Sequence, residues 1–132
     1  MKRIALMGKS GVGKTEIAKH LADNHGFTRC STGPICRDIA TILFGEATKP
    51  NMQAVSDALI DLRPSIFLRA ALARVDSASS TVIDALRYTT DYELARERGF
   101  MIIRIVASDE ARRVFLQHRG EPFDFAIDGV HQ

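Results

Sequence analysis

The feature that most constrains the fold is residues 8–15, Gly-Lys-Ser-Gly-Val-Gly-Lys-Thr, which follow directly on an apolar run. The pattern G-x-x-x-x-G-K-[ST] is typical of a loop whose backbone N–H groups surround a polyphosphate. Its glycines let the backbone approach the phosphates in conformations that a Cβ would disfavour. Residues 2–7 before it have the character of a strand, and apolar residues recur at helical spacing over 17–22. The sequence therefore predicts a strand, a phosphate loop and a helix whose positive end faces the anion.

The motif also assigns roles within this segment, which we call the phosphate loop. We expect Lys14 to reach the β- and γ-phosphates of a nucleotide and to stabilise the charge that develops there. The hydroxyl of Thr15 is expected to bind Mg²⁺. The residues expected to contact the nucleotide are Gly8, Lys9, Ser10, Gly11, Val12, Gly13, Lys14 and Thr15.

Length and composition restrict the remaining possibilities. The chain has 132 residues, which fits one domain around one core. No apolar run approaches the roughly 20 residues of a membrane span, so no membrane partner is expected. The predicted first strand begins within two residues of the N-terminus, which leaves no room for a signal peptide. A net charge of +2 is too small to indicate a nucleic-acid partner.

The two cysteines, Cys30 and Cys36, lack the spacing of a redox or metal motif. We interpret them as reduced, buried thiols, which is typical of a cytoplasmic protein.

The chain alternates between strand and helix patterns, which predicts an α/β fold with three layers. Near-continuous apolar character in residues 100–107 indicates a strand covered on both faces. Right-handed crossovers then give a parallel five-stranded sheet with helices on both faces. The predicted strands are 2–7, 27–31, 81–86, 100–107 and 123–127, and the predicted helices are about 14–24, 34–44, 52–61, 64–75, 90–98 and 109–118.

Ligands of such sheets collect beyond the carboxyl ends of the strands, so the residues there are the candidates for function. Asp84 ends the third predicted strand, where it could hold Mg²⁺ through water, accept a proton from an attacking hydroxyl, or orient an arginine. Arg87, three residues later, suits the phosphate of a second substrate. Arg37, in the first turn of the next helix after the second strand, is a further candidate, ahead of Arg63 and Arg69.

Arginines also follow the fourth predicted strand. Arg112 and Arg119 are seven residues apart and share one face of a helix. A segment that closes over the nucleotide with such arginines would neutralise charge and keep water away from the phosphoryl donor. Asp109 is expected to cap this helix.

Taken together, these segments resemble the P-loop nucleoside monophosphate kinases, and among them the deoxynucleoside monophosphate kinases of phages and their bacterial relatives. The resemblance extends over nearly the whole chain. It rests on the phosphate loop, on Val82-Ile83-Asp84-Ala85-Leu86-Arg87-Tyr88, on Glu93, Gly99 and Arg104, on the stretch from Arg112 to Arg119, and on Ile127-Asp128-Gly129.

This resemblance implies a sheet in the order 2-3-1-4-5, ATP with Mg²⁺ as phosphoryl donor, and a (deoxy)nucleoside monophosphate as acceptor. Arg37 and Arg87 would hold the acceptor phosphate, while Arg112 and Arg119 would close over the transferred group. We therefore expect a single kinase domain with a helical substrate-side insertion over about 34–75 and a short lid over about 109–120. A homodimer is possible.

Three alternatives remain open. The acceptor could be another small molecule, such as dephospho-coenzyme A or a metabolite hydroxyl. The chain could instead be a nucleotide-binding regulatory module without an acceptor, or a member that has lost activity. No N-K-x-D stretch is present, which leaves GTP specificity without support.

Overall fold

The computed structural model describes residues 1–9 and 11–119, with the backbone alone for residues 115, 118 and 119. Strands and helices alternate along most of this length. In chain order they are β1 (Arg3–Met7), α1 (Lys14–His25), β2 (Thr28–Cys30), α2 (Gly33–Phe44), α3 (Lys49–Leu59), α4 (Ile66–Ala73), β3 (Thr81–Asp84), α5 (Thr89–Glu97), β4 (Met101–Arg104) and α6 (Asp109–Arg119).

The four described strands form one parallel sheet in the order β2-β3-β1-β4. Leu6 of β1 lies opposite Asp84 of β3, and Met7 lies opposite Arg104 of β4. The carboxyl ends of β1, β3 and β4 therefore meet at one edge of the sheet. The predicted α/β class and the order of the first four strands are confirmed, whereas the predicted fifth strand at 123–127 lies outside the described residues.

Helices cover both faces of the sheet because successive strand side chains point to opposite sides. On one face, Ala5 and Ile83 pack with Leu68 of α4 and Leu94 of α5. On the other, Leu6 and Val82 pack with Ala18 of α1, and all three are almost fully buried. Burial of a side chain such as Leu6 contributes about 2 kcal/mol to folding. The sheet and its edge are thereby held as a rigid platform.

Several helix boundaries differ from the sequence prediction, and capping groups explain the differences. α3 begins three residues earlier than predicted because the Thr48 hydroxyl accepts a hydrogen bond from the Asn51 N–H, and Pro50 is tolerated in a first turn. Asp109 was expected to cap α6, but Ser108 does so, because its hydroxyl accepts from the Ala111 N–H.

β4 departs from the prediction of a strand covered on both faces. Within the described residues it pairs only with β1 and lies at the edge of the sheet. Met101 is 66% exposed, and Ile103 is also exposed, whereas Ile102 packs against the core. The apolar run thus predicted a strand correctly, but β4 is less buried among the described residues than its apolar character indicated.

None of the described helices combines the length and the apolar character that crossing a membrane requires.

Candidate functional site

The phosphate loop connects the central strand β1 to α1. Gly11 and Gly13 have φ values of +81° and +96°, in the region that side chains disfavour. α1 begins after Gly13, which has no side chain that could cap the first N–H groups of the helix, where a phosphate would bind. The Lys14 ammonium donates a hydrogen bond to the Gly8 carbonyl oxygen. The contacts of Lys14 and of the backbone N–H groups with a nucleotide stay predictions, and Ser10 lies outside the described residues.

Two glycines of the loop pack tightly against other parts of the chain, namely the segment after β4 and helix α6. A Cβ on Gly8 would lie 2.5 Å from the carbonyl oxygen of Ile105, just after β4. A Cβ on Gly11 would lie 2.8 Å from the carbonyl oxygen of Arg112 in α6. Both separations are shorter than van der Waals contact, so glycine is required at each position. Gly8 and Gly11 are therefore held close to the segment after β4 and to α6.

Arg112, expected on a lid, lies with its side chain only 1% exposed beside the phosphate loop. Its guanidinium donates to the Asp109 carboxylate at 2.8 Å. Together with Gly8 and Lys9 it lines a cavity of about 160 Å³. Arg112 is thus a buried cation next to the loop and not a solvated one, while the side chain of Arg119 lies outside the described residues. Whether α6 acts as a lid remains a prediction.

Asp84 lies at the carboxyl end of β3, where the sequence placed it. Its side chain is only 7% exposed, and it accepts a hydrogen bond from the Arg29 guanidinium at 2.7 Å. Arg29 comes from the neighbouring strand β2 and was not among the expected site residues. An arginine one strand away from a buried aspartate has no signal in a single sequence, because the pairing depends on the strand order.

A cleft of about 400 Å³ brings together the two arginines that the sequence analysis assigned to an acceptor phosphate, Arg37 and Arg87. We call it the arginine cleft. Its lining comes from the start of α2, one face of α3, the start of α4 and the segment between β3 and α5. Neither Arg63 nor Arg69 belongs to the lining, and the Arg69 guanidinium instead donates to the Pro64 carbonyl oxygen at 3.0 Å.

The two cleft arginines differ from others in their pairing. Arg29, Arg74 and Arg112 each form an ion pair with an aspartate. Within residues 1–9 and 11–119, no carboxylate pairs with Arg37 or Arg87, and both side chains are exposed. Two exposed guanidiniums without carboxylate partners in one cleft form a site suited to an anion.

The pKa of the Cys36 thiol depends on burial and on the charges of this cleft. Burial raises the pKa of its thiol, and the positive charges of Arg87 and Arg37 act in the opposite direction. The thiol donates to the Met52 carbonyl oxygen at 3.3 Å. Cys30 is fully buried in the core, and burial raises its pKa to about 11. Both cysteines are free thiols, as expected, but Cys36 is only half-buried and lines the arginine cleft.

Two further residues shape the cleft. The Asp91 carboxylate accepts hydrogen bonds from the backbone N–H groups of Arg87, at 3.1 Å, and Tyr88, at 3.3 Å. It therefore fixes the backbone from which Arg87 extends. The second residue, Ser65, is buried at the start of α4 and was not singled out by any pattern in the sequence.

Both halves of the candidate site lie beyond the same edge of the sheet. The phosphate loop follows β1, Arg87 follows β3, and α2 with Arg37 follows β2. Because β2, β3 and β1 are parallel neighbours, the segments after them emerge side by side.

No protein-family model and no curated protein matches the sequence. The structure is similar to the crystal structure of a gluconokinase from Sinorhizobium meliloti 1021, with a TM-score of 0.51. The two are 17% identical, and the match covers 96% of this chain and 69% of that chain. The chain has a P-loop kinase-like fold. At this identity the likeness concerns the fold alone.

Proposed function

We propose that this protein is an ATP-dependent kinase that transfers the γ-phosphoryl group to a (deoxy)nucleoside monophosphate, with Mg²⁺ as cofactor. The observation that carries the proposal is the arginine cleft, which presents Arg37 and Arg87 without carboxylate partners at the same sheet edge as the phosphate loop. A phosphate loop alone supports nucleotide binding. A separate anion site beside it supports a second, phosphorylated substrate.

On the ATP side, the phosphate loop would hold the triphosphate through its N–H groups. Lys14 would exchange its bond to the Gly8 carbonyl oxygen for the phosphate oxygens. The Thr15 hydroxyl and the Asp84 carboxylate are oxygen ligands of the kind that Mg²⁺ prefers, and Arg29 fixes the orientation of Asp84. When bound, Mg²⁺ would neutralise charge on the phosphates.

On the acceptor side, the two guanidiniums match the geometry of a phosphate. The lining of the cleft also includes the apolar side chains of Met52, Ile66 and Phe67. Apolar and aromatic surface suits a planar nucleobase better than a polyhydroxylated chain. The combination of arginines with apolar side chains favours a nucleoside monophosphate over a sugar acid.

The chemistry is an in-line displacement that needs position and charge neutralisation. A phosphate oxygen of the acceptor attacks the γ-phosphorus, and the bond between that phosphorus and the bridging oxygen of ADP breaks. The products are ADP and a nucleoside diphosphate. Arg112, buried beside the phosphate loop, would add positive charge near the transferred group.

The test is turnover of ATP and Mg²⁺ with each ribo- and deoxynucleoside monophosphate, with detection of ADP and of the nucleoside diphosphate. Arg37→Ala and Arg87→Ala should each raise the acceptor KM by about 10- to 100-fold and leave the ATP KM unchanged, because each removes a charge-assisted contact. Arg63→Ala is the matched control, since that exposed arginine lies outside the cleft lining. Lack of turnover with every nucleoside monophosphate would refute the proposed acceptor.

Gluconate and dephospho-coenzyme A belong in the same panel. The gluconokinase that shares this fold acts on a sugar acid by its name, and a carboxylate could also bind two arginines. Turnover of gluconate alone would replace the proposed acceptor but retain the kinase. Thermal stabilisation by ATP without turnover of any acceptor would favour a regulatory nucleotide-binding module.

A further inference from the structure

We propose that the hydroxyl of Ser65 hydrogen-bonds to an uncharged polar group of the acceptor, on its base or sugar, and thereby contributes to acceptor specificity. The inference rests on the proposed function, because it assumes an acceptor whose phosphate is held by Arg37 and Arg87.

The first observation is an unsatisfied hydroxyl. Ser65 is 6% exposed and lines the arginine cleft. Among the described residues, its Oγ is the one buried side-chain polar atom without a hydrogen-bond partner. A buried hydroxyl without a partner destabilises the folded protein, so an atom of this kind in a native structure calls for an explanation. A bound ligand in the cleft would provide its partner.

The second observation is the backbone at Ser65, which has φ of +56° and ψ of +36°. It is the one non-glycine residue with positive φ in the described part of the chain. Serine before a helix usually caps it with its hydroxyl, but the Ser65 side chain caps nothing. This left-handed conformation is unfavourable for serine and would be easier for glycine. Neither stability nor capping therefore accounts for a serine here.

The surrounding contacts hold this conformation in place. The Ser65 carbonyl oxygen accepts the Arg69 N–H at 2.9 Å, which begins α4. The Arg69 guanidinium donates to the carbonyl oxygen of the preceding Pro64 at 3.0 Å. The backbone that carries the hydroxyl is consequently braced, as a positioned binding group requires.

The location decides which part of the acceptor the hydroxyl would contact. Ser65 begins α4, next to the apolar Ile66 and Phe67, whereas Arg37 and Arg87 come from α2 and from the segment after β3. With the phosphate on the arginines, the nucleoside would extend towards α4. A hydroxyl can donate or accept, so it suits a base heteroatom or a sugar hydroxyl.

The test compares Ser65→Ala and Ser65→Gly with the unaltered protein, using the four common deoxynucleoside monophosphates and their ribose counterparts. Both variants should raise the KM of the preferred acceptor by about 3- to 10-fold, leave the ATP KM unchanged, and reduce the preference among acceptors. A change in preference among bases would assign the contact to the base, and a change between ribose and deoxyribose would assign it to the sugar.

Thermal unfolding separates this role from a structural one. Ser65→Gly removes the side chain from a left-handed position, so its Tm should remain within a few degrees of that of the unaltered protein or rise. A merely structural serine would give a lower Tm with an unchanged acceptor KM, which overturns the inference. Ser77→Ala, in an exposed loop, controls for the loss of a serine hydroxyl.

Failure of this inference is distinguishable from failure of the proposed function. If the unaltered protein phosphorylates a nucleoside monophosphate and both Ser65 variants match its acceptor KM and preference, the role of Ser65 is wrong and the kinase stands. If the unaltered protein phosphorylates no nucleoside monophosphate, both proposals fall together.

Discussion

The phosphate loop and the arginine cleft lie at the same edge of the sheet but are built in opposite ways. Eight consecutive residues form the loop, and two of its glycines, Gly8 and Gly11, pack against Ile105 and Arg112 with no space for a Cβ. The cleft draws its lining from four separate segments between Thr32 and Asp91 and leaves about 400 Å³ open. One region is contiguous and tightly packed, and the other is dispersed and open.

The difference shows how each region would recognise its ligand. The loop would bind a triphosphate through backbone N–H groups, which every residue carries, so its conformation matters more than its side chains. The cleft would depend on individual side chains, above all Arg37, Arg87 and Ser65. Substitution of the packed glycines in the loop should therefore affect both folding and turnover, whereas substitution in the cleft should alter acceptor binding alone.

The largest expected effect comes from Lys14→Ala. It removes the cation that we propose to lie next to the β- and γ-phosphates, where charge would develop, and should lower kcat by about 1000-fold. The loss of one partly buried hydrogen bond to Gly8 should affect the Tm only slightly. The measurement is ADP formation alongside thermal unfolding.

Lys19→Ala is the control for this lysine, because Lys19 is an exposed cation of α1 that lies outside the phosphate loop. Near-normal turnover by Lys14→Ala would contradict the role assigned to Lys14. It would also contradict the expected difference in function between the phosphate loop and the arginine cleft.

The packing of the loop is tested by Gly11→Ala against Gly13→Ala. Both glycines have similar positive φ, but a Cβ at Gly11 would lie 2.8 Å from the Arg112 carbonyl oxygen, while one at Gly13 meets no atom within 4 Å. Gly13→Ala should cost about 1 kcal/mol of unfolding free energy through backbone strain. Gly11→Ala should cost about 3 kcal/mol, because overpacking adds to that strain. Urea denaturation measures both free energies of unfolding. Equal losses would show that the contact with Arg112 does not restrict position 11.

The smallest expected effect tests whether the arginine cleft is a site separate from the phosphate loop. Cys36 lines the cleft, whereas Cys30 is buried in the core with a pKa raised to about 11. We expect a thiol-alkylating reagent to modify Cys36 and to leave Cys30 intact in the folded protein. A saturating nucleoside monophosphate should slow modification of Cys36 by about 10-fold, and an ATP analogue alone should not, as followed by mass spectrometry of the peptides. Equal protection by both ligands would show that the two regions are not distinct.

Local patterns predicted most of the elements and failed at particular residues. The apolar run at 100–107 identified β4 but not its exposed side chains, because burial depends on what packs above a strand. α3 begins earlier than predicted, because Thr48 caps the helix and Pro50 is tolerated in its first turn. The candidate residues Arg37 and Arg87 came from their positions after predicted strands, and the structure places both in one cleft. No local sequence pattern indicated that Arg29 pairs with Asp84, and none indicated that Ser65 is buried.

The sequence by itself determined the phosphate loop, since its eight residues contain both the glycines that permit the conformation and the lysine and hydroxyl that would act on a nucleotide. It also determined the alternation of strands and helices, because each apolar period is local. Only the tertiary structure decided the rest of the site. Which arginines face one cleft, which aspartate is already paired and which hydroxyl is left without a partner all depend on contacts between residues far apart in the chain, and these exist only once the strands have taken their order in the sheet.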